Sequence, residues 1–155
     1  MNAVPQAPWR LAPLQASQLD VVMDIERRAY AFPWSEGIFR DCLKAGYSNW
    51  VVYEAGGPLV AYAVMTMAVG EAHVLNLAVD PLCRRQGLGR FLLAHLLTVA
   101  RAAHSTIVLL EVRRSNKAAL RLYQAFGFQQ IGTRRGYYPG HEQREDACVL
   151  ALDLA

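Results

Sequence analysis

The chain has 155 residues, 54% of them hydrophobic and 19% charged, which suits one compact domain with a real core. Its net charge of +3 fits an anionic ligand but falls short of a nucleic-acid signature, and no apolar run reaches the roughly 18 residues of a membrane span. Cys42, Cys83 and Cys148 form no CxxC pair and have no histidine cluster beside them, so neither a disulfide framework nor a metal site is expected, and the reducing cytoplasm is the expected compartment.

Pro5 and Pro8 mark residues 1–8 as a flexible arm, followed by a short strand in WRLAPL. From Ser17, a plausible cap, Leu19, Val22, Met23, Ile25 and Ala29 recur near helical spacing and predict a first helix. The residue before a proline is pushed out of helical geometry, so the chain breaks at Phe32-Pro33, and Ser35 caps a second short helix. NWVVYEA and PLVAYAVMTMA flank Gly56-Gly57 as an antiparallel hairpin, and EAHVLNLAVD continues the sheet. Gly87 to Ala103 reads as a long helix and STIVLLEVRR as a buried strand. SNKAALRLYQAFGF reads as a helix that starts at Ser115 or Asn116 and ends at Gly127. The remainder predicts a strand, a loop carrying Tyr137, Tyr138 and Pro139, and a final strand in which Ala147, Val149 and Ala151 alternate with Cys148, Leu150 and Leu152. No repeat or change of composition divides the chain, so the expectation is a mixed α/β fold with helices packed on one sheet.

The segment with the most chemistry is Arg84-Arg85-Gln86-Gly87-Leu88-Gly89, between a strand and a helix. Glycines let an anion approach the bare N–H groups of a helix start, and arginines add charge-assisted contacts to phosphate oxygens. An ordinary glycine loop with solvated arginines is the rival reading. The spacing matches neither a Walker loop nor a dinucleotide fingerprint.

RxxGxG after LAVD and before an apolar helix resembles the pyrophosphate motif of the GCN5-related N-acetyltransferases (GNAT), a family of acetyl-CoA-dependent enzymes. LEVRRSNKAALRLYQAFGF, RRGYYPG and AFPWSE are similar to the branch that acetylates ribosomal-protein alanine. The resemblance covers nearly the whole chain after the arm, so residues 1–155 are expected to form one N-acetyltransferase domain with a mostly antiparallel mixed sheet flanked by helices. It implies that backbone groups of Leu77, Ala78 and Val79 line the pantetheine, and that Arg85, Gln86, Gly87, Leu88, Gly89 and Arg90 surround the pyrophosphate. The implied acceptor is the N-terminal alanine amine of a small-subunit ribosomal protein, with no direct nucleic-acid or membrane partner.

Amine acetylation needs a base for the ammonium ion and a proton donor for the departing thiolate. Glu111, alone in an apolar strand, is either edge-exposed, paired with an arginine such as Arg113, or held for reaction; the resemblance implies the base, acting directly or through a water. Tyr123 lies about two helical turns after Asn116 on roughly the same face. Core packing is the commoner fate of such a tyrosine, and the resemblance implies the acid instead. Asn116 is a helix cap, a cofactor contact, or both, and the Val79 N–H is implied to polarise the thioester carbonyl. Cys83 and Cys148 lack a neighbouring His base, so direct transfer is expected rather than an acyl-enzyme. Phe32, Pro33, Trp34, Tyr137, Tyr138 and Pro139 either wall the acceptor groove or pack over the core, while His141 and Glu142 read as solvated loop residues. The alternatives are a related transferase acting on other protein N-termini or small-molecule amines, and an acyl-CoA-binding module without turnover.

Overall fold

The computed structural model describes residues 8–155. In chain order they form β1 (Trp9–Pro13), α1 (Leu19–Ala29), α2 (Glu36–Lys44), β2 (Ser48–Glu54), β3 (Leu59–Ala68) and β4 (Glu71–Val79). There follow α3 (Leu88–Ala102), β5 (Ile107–Arg113), α4 (Lys117–Ala125), β6 (Gln129–Tyr138) and β7 (Glu145–Asp153). The strands make one sheet in the order β1-β2-β3-β4-β5-β7-β6. Every neighbouring pair is antiparallel except β4 and β5, which are joined by a crossover through α3 and therefore run parallel. This is the mixed, mostly antiparallel sheet flanked by helices that the sequence predicts.

The alternation of apolar residues along β3 to β5 serves both faces of the sheet. Leu92, Leu93, Leu96 and Ala100 of α3 bury against Ala61, Ala63, Val74, Leu110 and Val112. On the opposite face, Leu19, Val22 and Ile25 of α1 and Phe39 of α2 cover Val51, Tyr62, Val64 and Ala78. Apolar burial at about 25 cal/mol per Å² of buried area is what holds the helices to the sheet.

Two local expectations change. Ser17 does not cap α1: residues Ala16–Gln18 form a 3-10 turn, Gln18 takes the cap position, and its side chain makes no cap bond. Ser35 does cap α2, accepting from the Ile38 N–H at 3.3 Å. RRGYYPG is not a loop throughout, because β6 runs to Tyr138 and pairs it with Glu145. Gly136, at φ +58°, carries the irregularity in that strand, and the Asp146 carboxylate accepts its N–H at 2.9 Å. Of the expected arm, residues 1–7 lie outside the described residues; the Pro8 carbonyl accepts from the Ala55 N–H at 2.8 Å.

The sheet is interrupted between β4 and β5. The β4–β5 ladder runs only from Glu71–Ile107 to Val74–Leu110, after which the two strands part. At the same level β4 bulges against β3: Met65 pairs with Val74 and Val64 with Asn76, leaving Leu75 as an extra residue. A bulge bends and twists its strand, and here it turns the end of β4 away from β5.

Candidate active site

The gap between the parted strands opens into a groove of about 1240 Å³, lined by Leu77, Ala78 and Val79 on one side and by Asn116 and Tyr123 on the other. The Asp80 N–H donates to the Val60 carbonyl at 2.8 Å. Successive residues of a strand aim their backbone groups to opposite sides, so the Ala78 amide faces β3 while those of Leu77 and Val79 face the gap. The Leu77 carbonyl already accepts the Tyr30 hydroxyl at 2.9 Å.

Below the strand end, Asp80 locks the loop that follows. Arg28 donates to both of its carboxylate oxygens, at 2.6 and 3.1 Å, and the Leu82 N–H donates at 3.0 Å, so Asp80 sits below the usual carboxylate range. The loop then passes through Arg85 at φ +66° and Gly87 at φ +86°, and Gly87 becomes the N-cap of α3. Gly89 lets α3 approach α4, since a Cβ there would meet Leu122 Cδ2 at 3.2 Å. Arg85, Gly87, Leu88, Gly89 and Arg90 line the groove beside the start of α3, while the side of Gln86 does not reach it. Arg84, Arg121 and Arg144 line the groove as well. Sequence reasoning left them out of the cofactor set: Arg84 adjoins the motif, but the other two come from distant elements. Exposed amides at a helix start among arginines fit a diphosphate.

A second cavity of about 290 Å³ continues between the strands and brings together Glu111, Tyr123 and Tyr138. Glu111 does not pair with Arg113. Its Oε2 lies 2.7 Å from His73 Nε2 and its Oε1 lies 3.4 Å from Arg134 Nε. Arg113 instead bonds Glu145 at 3.1 Å and the Pro139 carbonyl at 2.8 Å. Tyr123 is 7% exposed, packs edge-on against Phe128, and its hydroxyl makes no hydrogen bond among the described residues. It is thus both a core side chain and a groove lining. Burial pushes its phenol above the ordinary value, with the Tyr138 phenol adding to the effect, so it keeps its proton at neutral pH. Tyr138 is itself pushed up to about 12, by burial and then by the Glu111 carboxylate. Asn116 caps α4, accepting from the Ala119 N–H at 3.2 Å, and also lines both cavities.

Phe32, Trp34, Tyr138 and Pro139 come together around the second cavity. The Arg113 guanidinium lies 5.2 Å from the Phe32 ring centroid and 4.5 Å from that of Tyr138, tying the α1–α2 connection to β6. Tyr137 and Pro33 do not line the cavity. His141, exposed as expected, rests against Phe32 with ring centroids 5.1 Å apart. Among the described residues no group of three or more His, Cys, Asp or Glu side chains is placed to hold a metal ion, and no helix is long and apolar enough to cross a membrane.

Glu26, on the apolar face of α1, escaped the sequence reading. It is 1% exposed and accepts from the Tyr62 hydroxyl at 2.5 Å, Asn76 Nδ2 at 3.1 Å and the Trp34 N–H at 2.9 Å. A carboxylate four residues after Val22 and three after Met23 is the periodicity signal that marks it as inward-facing.

Residues 19–128 match the model of the acetyltransferase (GNAT) family. The chain belongs to the GNAT family. It is 40% identical over 145 residues to the [ribosomal protein bS18]-alanine N-acetyltransferase of Escherichia coli (strain K12), covering 94% of this chain and 97% of that one. The crystal structure of the ribosomal-protein-S18-alanine N-acetyltransferase from Escherichia coli superimposes with a TM-score of 0.88 at 39% identity, covering 95% and 94% of the two chains. The fold is also that of the NatC complex bound to Gag peptide and CoA, with a TM-score of 0.84 at 22% identity over 96% of this chain and 100% of that one. This chain is therefore a GNAT acyltransferase.

Proposed function

We propose that this enzyme acts in the cytoplasm and transfers an acetyl group directly from acetyl-CoA to the N-terminal alanine amine of a small-subunit ribosomal protein. The observation that carries the reading is the meeting of Glu111 and Tyr123 in the gap between β4 and β5, beside the gap-facing amides of Leu77 and Val79. Arg85 and the start of α3 bind the diphosphate, and the Leu77 and Val79 backbones hold the pantetheine as an added strand would. The Val79 N–H stabilises charge developing on the thioester oxygen, where a fixed donor lowers a barrier by several kcal/mol. Glu111 takes a proton from the acceptor ammonium, directly or through a water, and Tyr123 protonates the departing sulfur. Burial keeps the Tyr123 phenol protonated at neutral pH, so it meets the departing sulfur as a neutral donor. The identity of the acceptor rests on the similarity to the Escherichia coli enzyme.

The test is to incubate the enzyme with labelled acetyl-CoA and hexapeptides differing only in their first residue, beside peptides offering lysine side chains and beside polyamines. Selective labelling of the alanine peptide is expected. Labelling confined to polyamines rejects the ribosomal acceptor.

A further inference from the structure

Amine acetylation by a thioester releases a proton. The ammonium nitrogen gives up two hydrogens, one of which ends on the thiol, so one proton per turnover must leave the buried cavity. Glu111 can receive it but is only 12% exposed at its side chain, and something must carry the charge onward.

His73 stands behind Glu111, at 2.7 Å from Nε2 to Oε2, and is itself 34% exposed at its side chain. It does not line the cavity, whose β4 wall begins at Val74. The contact is built into the sheet. His73 pairs across the parallel ladder with Leu109, two residues before Glu111, so both side chains project from the same face, His73 within the ladder and Glu111 just past its end. On its other side His73 pairs with Thr66 of β3. The charged and titratable groups around the pair are Glu71 on β4, Arg113 on β5, Glu26 on α1 and Tyr30 at its C-cap, Tyr123 on α4, and Arg134 and Tyr138 on β6. Arg134 lies 3.4 Å from the other Glu111 oxygen, so both carboxylate oxygens are held from behind by side chains that reach solvent.

We infer that His73 is a positioning residue that acts through Glu111, fixing its carboxylate toward the acceptor amine and sharing the proton it removes. The inference rests on the base role proposed for Glu111. As the ammonium N–H bond breaks, its electron pair remains on nitrogen to attack the thioester carbonyl. The proton joins the Glu111–His73 pair, converting carboxylate–imidazole into carboxylate–imidazolium. It then passes from the half-exposed imidazole to water, restoring the pair. An imidazole ordinarily binds a proton more tightly than a carboxylate, so sharing makes removal from an ammonium ion less uphill than Glu111 alone allows.

Two measurements test this. Turnover is compared for the parent, His73→Gln and His73→Ala between pH 6 and 9, with acetyl-CoA and whichever of the alanine peptide and spermidine the parent acetylates. Glutamine can still donate to Glu111 but cannot take up a proton. The expected result is an unchanged KM for acetyl-CoA, a kcat about tenfold lower in both variants at neutral pH, and a deficit that narrows as pH rises and the amine sheds its own proton. Profiles that superimpose on the parent's, or full rescue by glutamine, overturn the proton-sharing role. Separately, the His73 ring is titrated by NMR in the parent and in Glu111→Gln. Loss of the carboxylate should lower its midpoint, and identical midpoints also overturn the inference. An enzyme that acetylates spermidine but not the alanine peptide refutes the proposed acceptor and leaves both His73 measurements intact.

Discussion

The two glycines of Gly87-Leu88-Gly89 have opposite structural reasons, and alanine at each should separate them. Gly87 sits at φ +86°, ψ +10°, and the nearest atom to an added Cβ is Trp9 Cη2 at 3.7 Å, an ordinary contact. Space is therefore not the obstacle; the left-handed backbone is, at about 1–2 kcal/mol for a residue with a Cβ. Gly89 lies in the first turn of α3, where alanine gains about 0.5–1 kcal/mol of backbone propensity. Its Cβ would meet Leu122 Cδ2 at 3.2 Å, a squeeze that a leucine terminus relieves by moving a few tenths of an ångström. Those two effects nearly cancel. Gly87→Ala should lower the melting temperature by about 3–6 °C, and Gly89→Ala by less than about 2 °C. Urea unfolding of both variants beside the parent gives the difference directly. Equal losses, or a larger loss at Gly89, would refute the argument that Gly87 is required for its conformation and Gly89 only for contact.

Glu26→Ala strands two buried donors, from Tyr62 and Asn76, and the part-buried Trp34 N–H, and should cost about 3 kcal/mol or more in denaturant unfolding. A loss under about 1 kcal/mol would mean that water replaces the carboxylate. Asp80 is held below its ordinary range by Arg28, so its contribution is complete above about pH 4 and disappears as pH falls through the lowered folded value. Asp80→Asn should therefore be less stable than the parent at pH 7, with the gap narrowing as pH falls below about 4 and through that lowered value; a gap independent of pH contradicts the assignment. Arg85→Ala should weaken acetyl-CoA binding by about 1–3 kcal/mol, roughly 5- to 150-fold, in calorimetry. Glu111→Gln should keep that affinity while losing turnover, most severely at low pH, and unchanged kinetics would remove Glu111 from the base role.

Much of this architecture is written in local patterns. The Gly-bounded hairpin, the apolar face of α3 and the caps at Ser35 and Asn116 each follow from residues within a few positions of one another. The cap expected at Ser17 fails because a 3-10 turn competes for the same residues, and Tyr137 and Tyr138 extend as strand because β7 supplies a partner that local propensity ignores. The candidate site divides in the same way. The phosphate loop is contiguous and legible, whereas the partner of Glu111 depends on register: Arg113 is near in sequence, but it shares the face that meets Glu145, Phe32 and Tyr138, and His73 arrives from the neighbouring strand. Tertiary placement of Arg121 and Arg144 in the groove left no local trace.

Leu75 gives β4 one residue more than the stretch of β3 it pairs with, and the cleft begins there. A ligand-sized opening in the middle of a continuous sheet thus originates in a counting mismatch rather than in any special side chain. One extra residue accompanies the parting of one parallel pair of strands, while the hydrophobic layers on both faces continue past it.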